Sequence, residues 1–320
     1  MISTRNLVKD FGARRAVDDV SFDVANGEVL GFLGPNGAGK STTMRMITGF
    51  MTPTSGTTIV NRYDMATHPV EGRRCLGYLP ENAPAYGDMT AREFLRFIAS
   101  MRGYRGADET RRVDAVMEKC FLTHVAHQTI DTLSKGYRQR TCFAQAILHD
   151  PPILILDEPT EGLDPNQKHV VRNMIRSMGK EKVIIFSTHV LEEVDEVCSR
   201  AIIISGGQIV ADGTPEELRQ RSKSFNSLCL QLSAPESEIK REFSTIAGVL
   251  GVETRVNGRD SIECRVFPRD QQPITAQVLE KARSRNWPVT QIETDKGRLD
   301  DVFRQLTTTE DVDIPAQEEE

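Results

Sequence analysis

LGFLGPNGAGKS, at residues 30–41, is an apolar run followed by a glycine-rich loop. Residues 34–41 match the phosphate-binding pattern G-x-x-x-x-G-K-[ST]. Gly34, Gly37 and Gly39 leave the backbone without side chains, so that successive N–H groups can converge on anionic oxygens. A helix predicted from Thr42 onward would turn its positive N-terminal end toward the same anion. A glycine-rich turn that fits by chance is the alternative, but a strand before the loop and a helix after it favour a nucleotide site.

The polar residues of this loop have distinct expected tasks. Lys40 would reach the β- and γ-phosphates, Ser41 would ligate Mg²⁺, and Thr42 would bond the α-phosphate. Asn36 lies in the same loop and is counted among the nucleotide-binding residues. The loop therefore predicts a site for a nucleotide together with Mg²⁺.

Composition limits the class of protein. The 320 residues carry a net charge of −6, with 27% charged and 38% hydrophobic residues, which is typical of soluble globular domains. An acidic chain disfavours a nucleic-acid partner held by bulk charge. No apolar run approaches the roughly 18 residues of a membrane span, and the first residues lack a signal-peptide pattern, so we expect a cytoplasmic chain. The six cysteines stand singly, which predicts reduced thiols without a disulfide frame or a zinc site.

Three further apolar runs end in polar residues, as parallel strands do where an α/β sheet binds its ligand. These ends are Asp157 and Glu158 after residues 153–156, His189 after residues 183–188, and Glu81 after residues 75–80. We expect Asp157 to hold Mg²⁺ through water and Glu158 to orient or deprotonate the attacking water. His189 would donate to a γ-phosphate. Taken alone, His189 is equally compatible with a structural histidine, and Glu81 with a solvated loop residue.

The region ahead of the loop predicts a different kind of sheet. Residues 3–30 alternate apolar and polar positions around turns at residues 10–13 and 25–27, which indicates a small antiparallel sheet. Phe11, beside Gly12, could lie flat on an adenine base. On its own, however, Phe11 is an ordinary core or turn aromatic.

Residues 90–148 have helical spacing and predict a helical insertion into the α/β domain. A capping pattern at residues 90–93 opens one helix, and residues 109–121 form a second. Ser134 and Gly136 precede a third helix, where they make either an anion site or a plain helix start. His124 and His127 have no third ligand nearby, so we prefer a surface or helix-end role to metal binding.

Beyond a polar break at residues 219–227 the order of elements changes. Residues 227–293 predict strand, helix, two strands, helix and strand, a βαββαβ order typical of a ferredoxin-like α+β domain. A short helix at residues 299–306 follows. We therefore predict a phosphate-loop domain at residues 1–220 with its helical part at about 90–148, an accessory domain at 221–308, and an acidic disordered tail at 309–320.

Together these motifs resemble the ATP-binding subunits of ABC transporters over residues 1 to about 220. Five motifs in one order carry the resemblance: the phosphate loop, Leu133-Ser134-Lys135-Gly136-Tyr137, Asp157-Glu158, the Leu163-Asp164 turn and Thr188-His189. The resemblance implies an α/β P-loop NTPase, with a RecA-like parallel sheet core, an antiparallel β subdomain and a helical insertion. It also implies an ATPase coupled to transmembrane transport, with ATP and Mg²⁺ as cofactors.

Residue by residue, the resemblance implies that Phe11 stacks on adenine and that Glu158 is the catalytic carboxylate. Lys40 and His189 would assist it at the γ-phosphate. The implied metal ligands are Ser41, Asp157 and Glu81. Asp164, in the turn after the acidic pair, is included among the nucleotide-binding residues.

The resemblance also implies two partners. Ser134 and Gly136 would close on the ATP of a second copy, so that two nucleotides are sandwiched in a head-to-tail dimer. An integral-membrane permease would be the second partner, which would place the chain on the inner face of the cell membrane. Nucleic acid is not an expected partner.

Some positions depart from the family pattern. Glu81 stands where the family usually has Gln, and Lys135 and Tyr137 stand where the signature L-S-G-G-Q has Gly and Gln. The combination of Leu79-Pro80-Glu81-Asn82, Leu133-Ser134-Lys135-Gly136 and a C-terminal extension is similar to the ABC-2 branch, whose members mostly serve exporters.

Other ATPases with a similar nucleotide-binding domain, or head, remain as alternatives. A mechanical or DNA-maintenance ATPase would insert long coiled coils between the phosphate loop and the signature, and a translation-factor type would need two heads with basic linkers. A P-loop kinase would leave the signature, the acidic pair and His189 without a task. The chain has one head and an acidic composition, which favours the transporter subunit.

Overall fold

A computed structural model describes residues 1–82, 84–256 and 261–308. The chain divides into two compact units, Met1–Pro215 and Glu216–Glu320. The predicted boundary, between residues 220 and 221, is five residues beyond the observed one. The tail predicted to be disordered, residues 309–320, lies outside the described residues.

The first unit alternates strands and helices along most of its length. Its strands are β1 (Ile2–Phe11), β2 (Arg14–Val24), β3 (Val29–Leu33), β4 (Ser55–Val60), β5 (Tyr63–Asp64), β6 (Leu76–Leu79), β7 (Ile153–Asp157), β8 (Val183–Thr188), β9 (Arg200–Ser205) and β10 (Gln208–Gly213). Its helices are α1 (Lys40–Ile47), α2 (Pro69–Arg74), α3 (Ala91–Met101), α4 (Gly106–Lys119), α5 (Lys135–Ile147), α6 (Pro165–Gly179) and α7 (Leu191–Val197), with 3₁₀ turns at Thr123–Val125 and Ile130–Thr132. Within the described residues, no helix combines the length and the apolar character that crossing a membrane requires.

The antiparallel sheet predicted ahead of the phosphate loop is present. Its four strands follow the order β2-β1-β4-β5, and β1 and β2 are joined by a tight turn at Gly12, whose φ is +59°. A glycine suits this backbone because a side chain is strained at positive φ. The last residues of the expected antiparallel region, Val29 and Leu30, instead begin β3 of the second sheet.

The second sheet is the parallel core predicted from the apolar runs. Its order is β10-β9-β3-β8-β7-β6, and β3, β6, β7, β8 and β9 run parallel. Strands β3, β7 and β8 are buried at every residue, as expected for strands covered on both faces. Their carboxyl ends, with that of β6, meet at one edge of the sheet. The α/β P-loop architecture is therefore confirmed.

The helical insertion lies between β6 and β7. Thr90 caps α3 in the predicted capping box, since its side chain accepts from the Glu93 backbone N–H while the Glu93 side chain accepts from the Thr90 backbone N–H. The second helix, α4, begins three residues earlier than expected and ends at Lys119. Phe121 cannot extend that helix because its φ is +56°.

The second unit has the predicted βαββαβ order. Its elements are α8 (Pro215–Arg219, at the boundary), β11 (Leu228–Leu232), α9 (Glu236–Ser244), β12 (Val249–Val256), β13 (Ile262–Pro268), a 3₁₀ turn at Arg269–Gln271, α10 (Thr275–Ser284), β14 (Val289–Thr294) and α11 (Leu299–Thr307). The sheet order is β12-β13-β11-β14, with every pair antiparallel. A ferredoxin-like fold for this unit stays a prediction that this strand order supports.

Candidate nucleotide-binding site

The phosphate loop links β3 to α1 and places Lys40 at the first helical position. Gly39 precedes it with φ +108°, and a β-carbon there would lie 2.6 Å from the Ala16 carbonyl oxygen, so that only glycine fits. The Lys40 ammonium donates to the carbonyl oxygens of Gly34 (2.7 Å) and Pro35 (3.3 Å). The side chain is 6% exposed, so a positive charge is held inside the loop.

Asp157 ends β7 directly behind this loop. Its Oδ1 accepts from Ser41 Oγ (3.2 Å) and from Ser187 Oγ (2.5 Å), while Ser187 Oγ accepts from the Glu158 backbone N–H (2.9 Å). Asp157 is fully buried, and its Oδ2 has no hydrogen-bond partner among the described residues. An orphaned carboxylate oxygen beside a serine hydroxyl fits a hard cation that also takes phosphate and water ligands, as Mg²⁺ does.

Glu158 is the second buried carboxylate of the site. Its Oε2 lies 3.0 Å from His189 Nδ1, and its Oε1 lies 3.7 Å from Lys40 Nζ. Burial raises the pKa of Glu158 above its ordinary value, although His189 and Lys40 act in the opposite direction. The residue has φ +48°, which is unusual for a side chain of this size and is maintained by the packed strand end.

A cavity of about 660 Å³ opens above these groups. Among the residues predicted for the site, those that line the cavity are Phe11, Asn36, Gly37, Gly39, Lys40, Ser41, Thr42, Glu81, Glu158 and His189. The Phe11 ring is half exposed, and Lys9 Nζ lies 5.4 Å from its centre. One aromatic and the phosphate loop therefore border the same space, which suits a base at one end and phosphates at the other.

Five predicted residues do not line this cavity: Gly34 and Asp157, which border its floor from the loop and β7, and the more distant Ser134, Gly136 and Asp164. Ser134 caps α5 by accepting from the Tyr137 backbone N–H (3.4 Å), and Asp164 caps α6 by accepting from the Gln167 backbone N–H (2.9 Å). A β-carbon at Gly136 would lie 2.3 Å from the Gln167 side chain, so Gln167 lies next to both segments. Contact of Ser134, Gly136 and Asp164 with a nucleotide stays a prediction. To contact the nucleotide of a second copy, they must lie outside the cavity of their own chain, as they do.

Several residues of the site carried no motif in the sequence. Arg14, Ala16 and Glu161 also line the cavity. Arg14 Nη2 lies 3.5 Å from the place that a β-carbon at Gly37 would occupy. Ser187, the bridge between the two acidic residues, had one usable signal, namely a hydroxyl near the end of an otherwise apolar strand.

The histidine pair of the insertion is not at this site. His124 Nε2 lies 2.7 Å from the Tyr137 hydroxyl, in an exposed contact. Among residues 1–82, 84–256 and 261–308, no group of three or more His, Cys, Asp and Glu side chains is arranged to hold a metal. A nucleotide-dependent Mg²⁺ site needs no such group, because phosphate oxygens and water supply most of its ligands.

Comparison with known proteins identifies the family. Residues 17–161 match the family model described as ABC transporter. The Nod factor export ATP-binding protein I of Ralstonia nicotianae is 30% identical over 311 residues, which cover 97% of this chain and 94% of that protein. The chain belongs to the ATP-binding subunits of ABC transporters. Members of this family are ATPases that use ATP with Mg²⁺, so the predicted activity and cofactors are confirmed.

Solved structures agree with this family. A structure of an ATP-binding subunit of an ABC transporter, 32% identical, covers 69% of this chain and 92% of its own, with a TM-score of 0.64. A bacterial ABC transporter cassette solved as a dimer, 23% identical, covers 67% of this chain and 99% of its own, with a TM-score of 0.63. The second likeness concerns the fold alone. Both matches span a share of the chain close to that of the first unit.

Proposed function

We propose that the chain is the nucleotide-binding subunit of an ABC-2 type exporter and that two copies close around two MgATP to drive a separate membrane permease. The observation that carries this proposal is the incomplete cavity, because Ser134 and Gly136 lie outside the cavity of their own chain. A second copy placed head to tail would bring its own signature segment to the open side. The bacterial cassette with the same fold was itself solved as a dimer, which supports the proposed pairing of two copies.

Within one subunit, the phosphate loop would bind the nucleotide and hold its phosphates. Lys40 would exchange its carbonyl contacts for the β- and γ-phosphates, and Phe11 would stack on the adenine. Ser41 and Asp157 would hold Mg²⁺, with Glu81 at the cavity wall as a further oxygen ligand. Bound Mg²⁺ offsets phosphate charge during phosphoryl transfer.

Glu158 is the proposed general base. Its raised pKa brings it nearer to the range in which a carboxylate takes a proton from water, and His189 beside it would keep it oriented. His189 is half exposed toward the cavity, so its ring could also contact a γ-phosphate. Hydrolysis would remove the phosphate that joins the two copies and would let the dimer open.

A second cleft supports a membrane partner. It has a volume of about 590 Å³ and is lined by residues of α1, α2 and β6 and by residues of the helical insertion. Its apolar members include Phe50, Tyr78 and Pro80, and its cationic members are Arg45, Arg73 and Arg102. Phe50 is 76% exposed and borders the cleft together with Tyr78 and Pro80, so its apolar side chain is accessible to a partner. We propose that a cytoplasmic loop of the permease docks here, beside Asn82 and the segment at residues 84–89.

The proposed direction of transport is export. The Nod factor relative, which is aligned along nearly the whole chain, carries export in its name. The ABC-2 branch rests on the motifs around Glu81 and Lys135 and on the C-terminal unit. A permease partner would hold the chain as a peripheral subunit on the inner face of the cell membrane.

Co-purification tests this function. The full chain, tagged and expressed in its own host, should bring down a polytopic membrane protein from detergent-solubilised membranes, identified by mass spectrometry. Phe50→Asp should lower recovery of that protein about tenfold or more, because it places a charge in an apolar contact. Phe121→Asp is the matched control, since Phe121 is 56% exposed outside the cleft. Recovery of ribosomes or DNA in place of a membrane protein would favour a non-transport ATPase.

A further inference from the structure

Glu193 is a buried carboxylate that the nucleotide cavity does not use. It lies on α7, four residues after His189, and its side chain is 1% exposed. Arg172 of α6 lies 3.2 Å from its Oε1 and is itself mostly buried. Burying a carboxylate costs several kcal/mol unless charges and hydrogen bonds compensate it, so this group needs a structural reason.

Two threonine hydroxyls complete the surroundings of Glu193. Thr160 Oγ1 donates to Oε1 (2.6 Å), and Thr188 Oγ1 donates to Oε2 (2.8 Å). Thr160 lies two residues after Glu158, and Thr188 immediately precedes His189. One carboxylate therefore holds the two segments that present the proposed base and its histidine neighbour.

The bond to Thr188 also fixes the backbone beyond it. Thr188 Oγ1 accepts from the Val190 backbone N–H (3.0 Å), so the hydroxyl spans His189. The same two strand ends are also joined by Ser187, which bonds both Asp157 and the Glu158 backbone. The ends of β7 and β8 are thus connected twice, through Ser187 and through Glu193.

We propose that Glu193 is a positioning residue that fixes the distance between Glu158 and His189. The inference rests on the proposed function, because it assumes that these two residues act on the γ-phosphate. Their side chains are 3.0 Å apart, and a displacement of about 1 Å at a reacting group can cost about 10²-fold in rate. Glu193 touches neither the cavity nor the nucleotide loop, so it acts on turnover without acting on nucleotide affinity.

The test compares Glu193→Gln with Glu196→Gln. Glutamine keeps the shape of Glu193 but offers one acceptor oxygen where two hydroxyls donate. We expect kcat for ATP hydrolysis to fall about 10- to 100-fold with the Kd for ATP unchanged within about twofold. Glu196 is the matched control, since it lies on the same helix and pairs with the same Arg172 (2.9 Å) but is half exposed. Its variant should keep wild-type kcat.

A second pair of variants keeps the test valid if Glu193→Gln unfolds. Thr188→Val keeps the volume but removes the hydroxyl, whereas Thr188→Ser keeps the hydroxyl. The inference predicts a low kcat for valine and a near wild-type kcat for serine, with both folded by thermal unfolding. Wild-type turnover in folded Glu193→Gln or Thr188→Val, or equal losses at Glu193 and Glu196, would overturn it.

Glu158→Gln separates this inference from the function on which it rests. If Glu158→Gln keeps its turnover, the proposed base is wrong and the role of Glu193 fails with it. If Glu158→Gln is inactive while Glu193→Gln is fully active, the proposed function stands and only the positioning role is lost.

Discussion

The two units each contain a cavity of similar size, yet their charged groups are arranged in opposite ways. In the first unit, about 660 Å³ of space faces Lys40, which begins α1, and Glu158, which follows Asp157 at the end of β7, and all three side chains are buried. In the second, about 580 Å³ lies against the faces of β11, β13 and β14, where Glu263 and Glu293 are exposed. The volume of a cavity therefore does not by itself define a binding site. A binding site is better defined by a buried charged group that has an unsatisfied polar atom, because leaving that atom without a partner costs free energy unless a ligand binds it.

The two units also differ in the pKa of a buried carboxylate, which is raised in one unit and lowered in the other. Burial raises the pKa of Glu158 in the first unit. Hydrogen bonds from Lys281 and then Arg285 lower the pKa of Glu242 to about 2 in the second. The surroundings of Glu158 disfavour ionisation and so bring its pKa closer to neutral pH, as a general base requires. The cations around Glu242 stabilise its ionised form, which suits a structural ion pair.

The largest expected effect comes from Glu158→Gln. ATP turnover should fall about 10²- to 10⁴-fold, since the proposed general base is lost while the shape is kept. Nucleotide binding should persist, so the variant should accumulate as an ATP-bound dimer, measured by light scattering after gel filtration. For the wild type, the acid limb of the turnover profile should lie above the ordinary carboxyl pKa of 4.5, because burial raises the pKa of Glu158.

Glu242→Gln is the matched control for that experiment. It makes the same chemical change to a carboxylate of the second unit and should leave ATP turnover at the wild-type level. Equal losses in the two variants would mean that the opposite pKa shifts of these two buried carboxylates do not predict function. Unchanged turnover in Glu158→Gln would refute the assignment of the base.

A smaller effect is expected from Arg14→Ala. Arg14 points along the phosphate loop, and among the described residues no carboxylate lies within ion-pair distance of it. Its loss should weaken ATP binding about tenfold, on the order of 1.4 kcal/mol for one charge-assisted contact. Arg15→Ala is the control, because Arg15 is held by Asp10 and Asp18, each at 2.9 Å. Calorimetric titration with ATP would measure both, and equal affinities would exclude Arg14 from the site.

Much of this site was predictable because it depends on local sequence order. The glycines of the phosphate loop, and Asp157 and Glu158 after an all-apolar strand, define both a backbone conformation and a place in a parallel sheet. The βαββαβ order of the second unit was predictable for the same reason, as alternation and turns are local signals.

The rest depends on where distant segments meet, which no short pattern encodes. Arg14 is 23 residues from Gly37 in the sequence and comes near it only because β2 lies beside the loop. Glu193 looks like an ordinary acidic residue on a surface helix until α7 packs against Thr160 and Arg172. Some observed helix ends, such as those of α4, differ from the predicted ends by a few residues, because caps and positive-φ residues determine the terminal turns more than periodicity does.

The smallest expected effect concerns the stability of the second unit. Because the folded state lowers the pKa of Glu242, the ionised group stabilises the fold above its ordinary pKa of 4.5, and this contribution is lost as pH falls toward 2. Glu242→Gln should therefore lower the Tm of this unit at pH 7, and the difference from wild type should shrink at pH 3. Trp287, the single tryptophan, packs edge-on against Phe243 (5.6 Å between ring centres), so its fluorescence reports this unit. A difference that grows in acid would show that Lys281 and Arg285 do not stabilise the ionised form of Glu242, and the contrast in pKa with Glu158 would then fail.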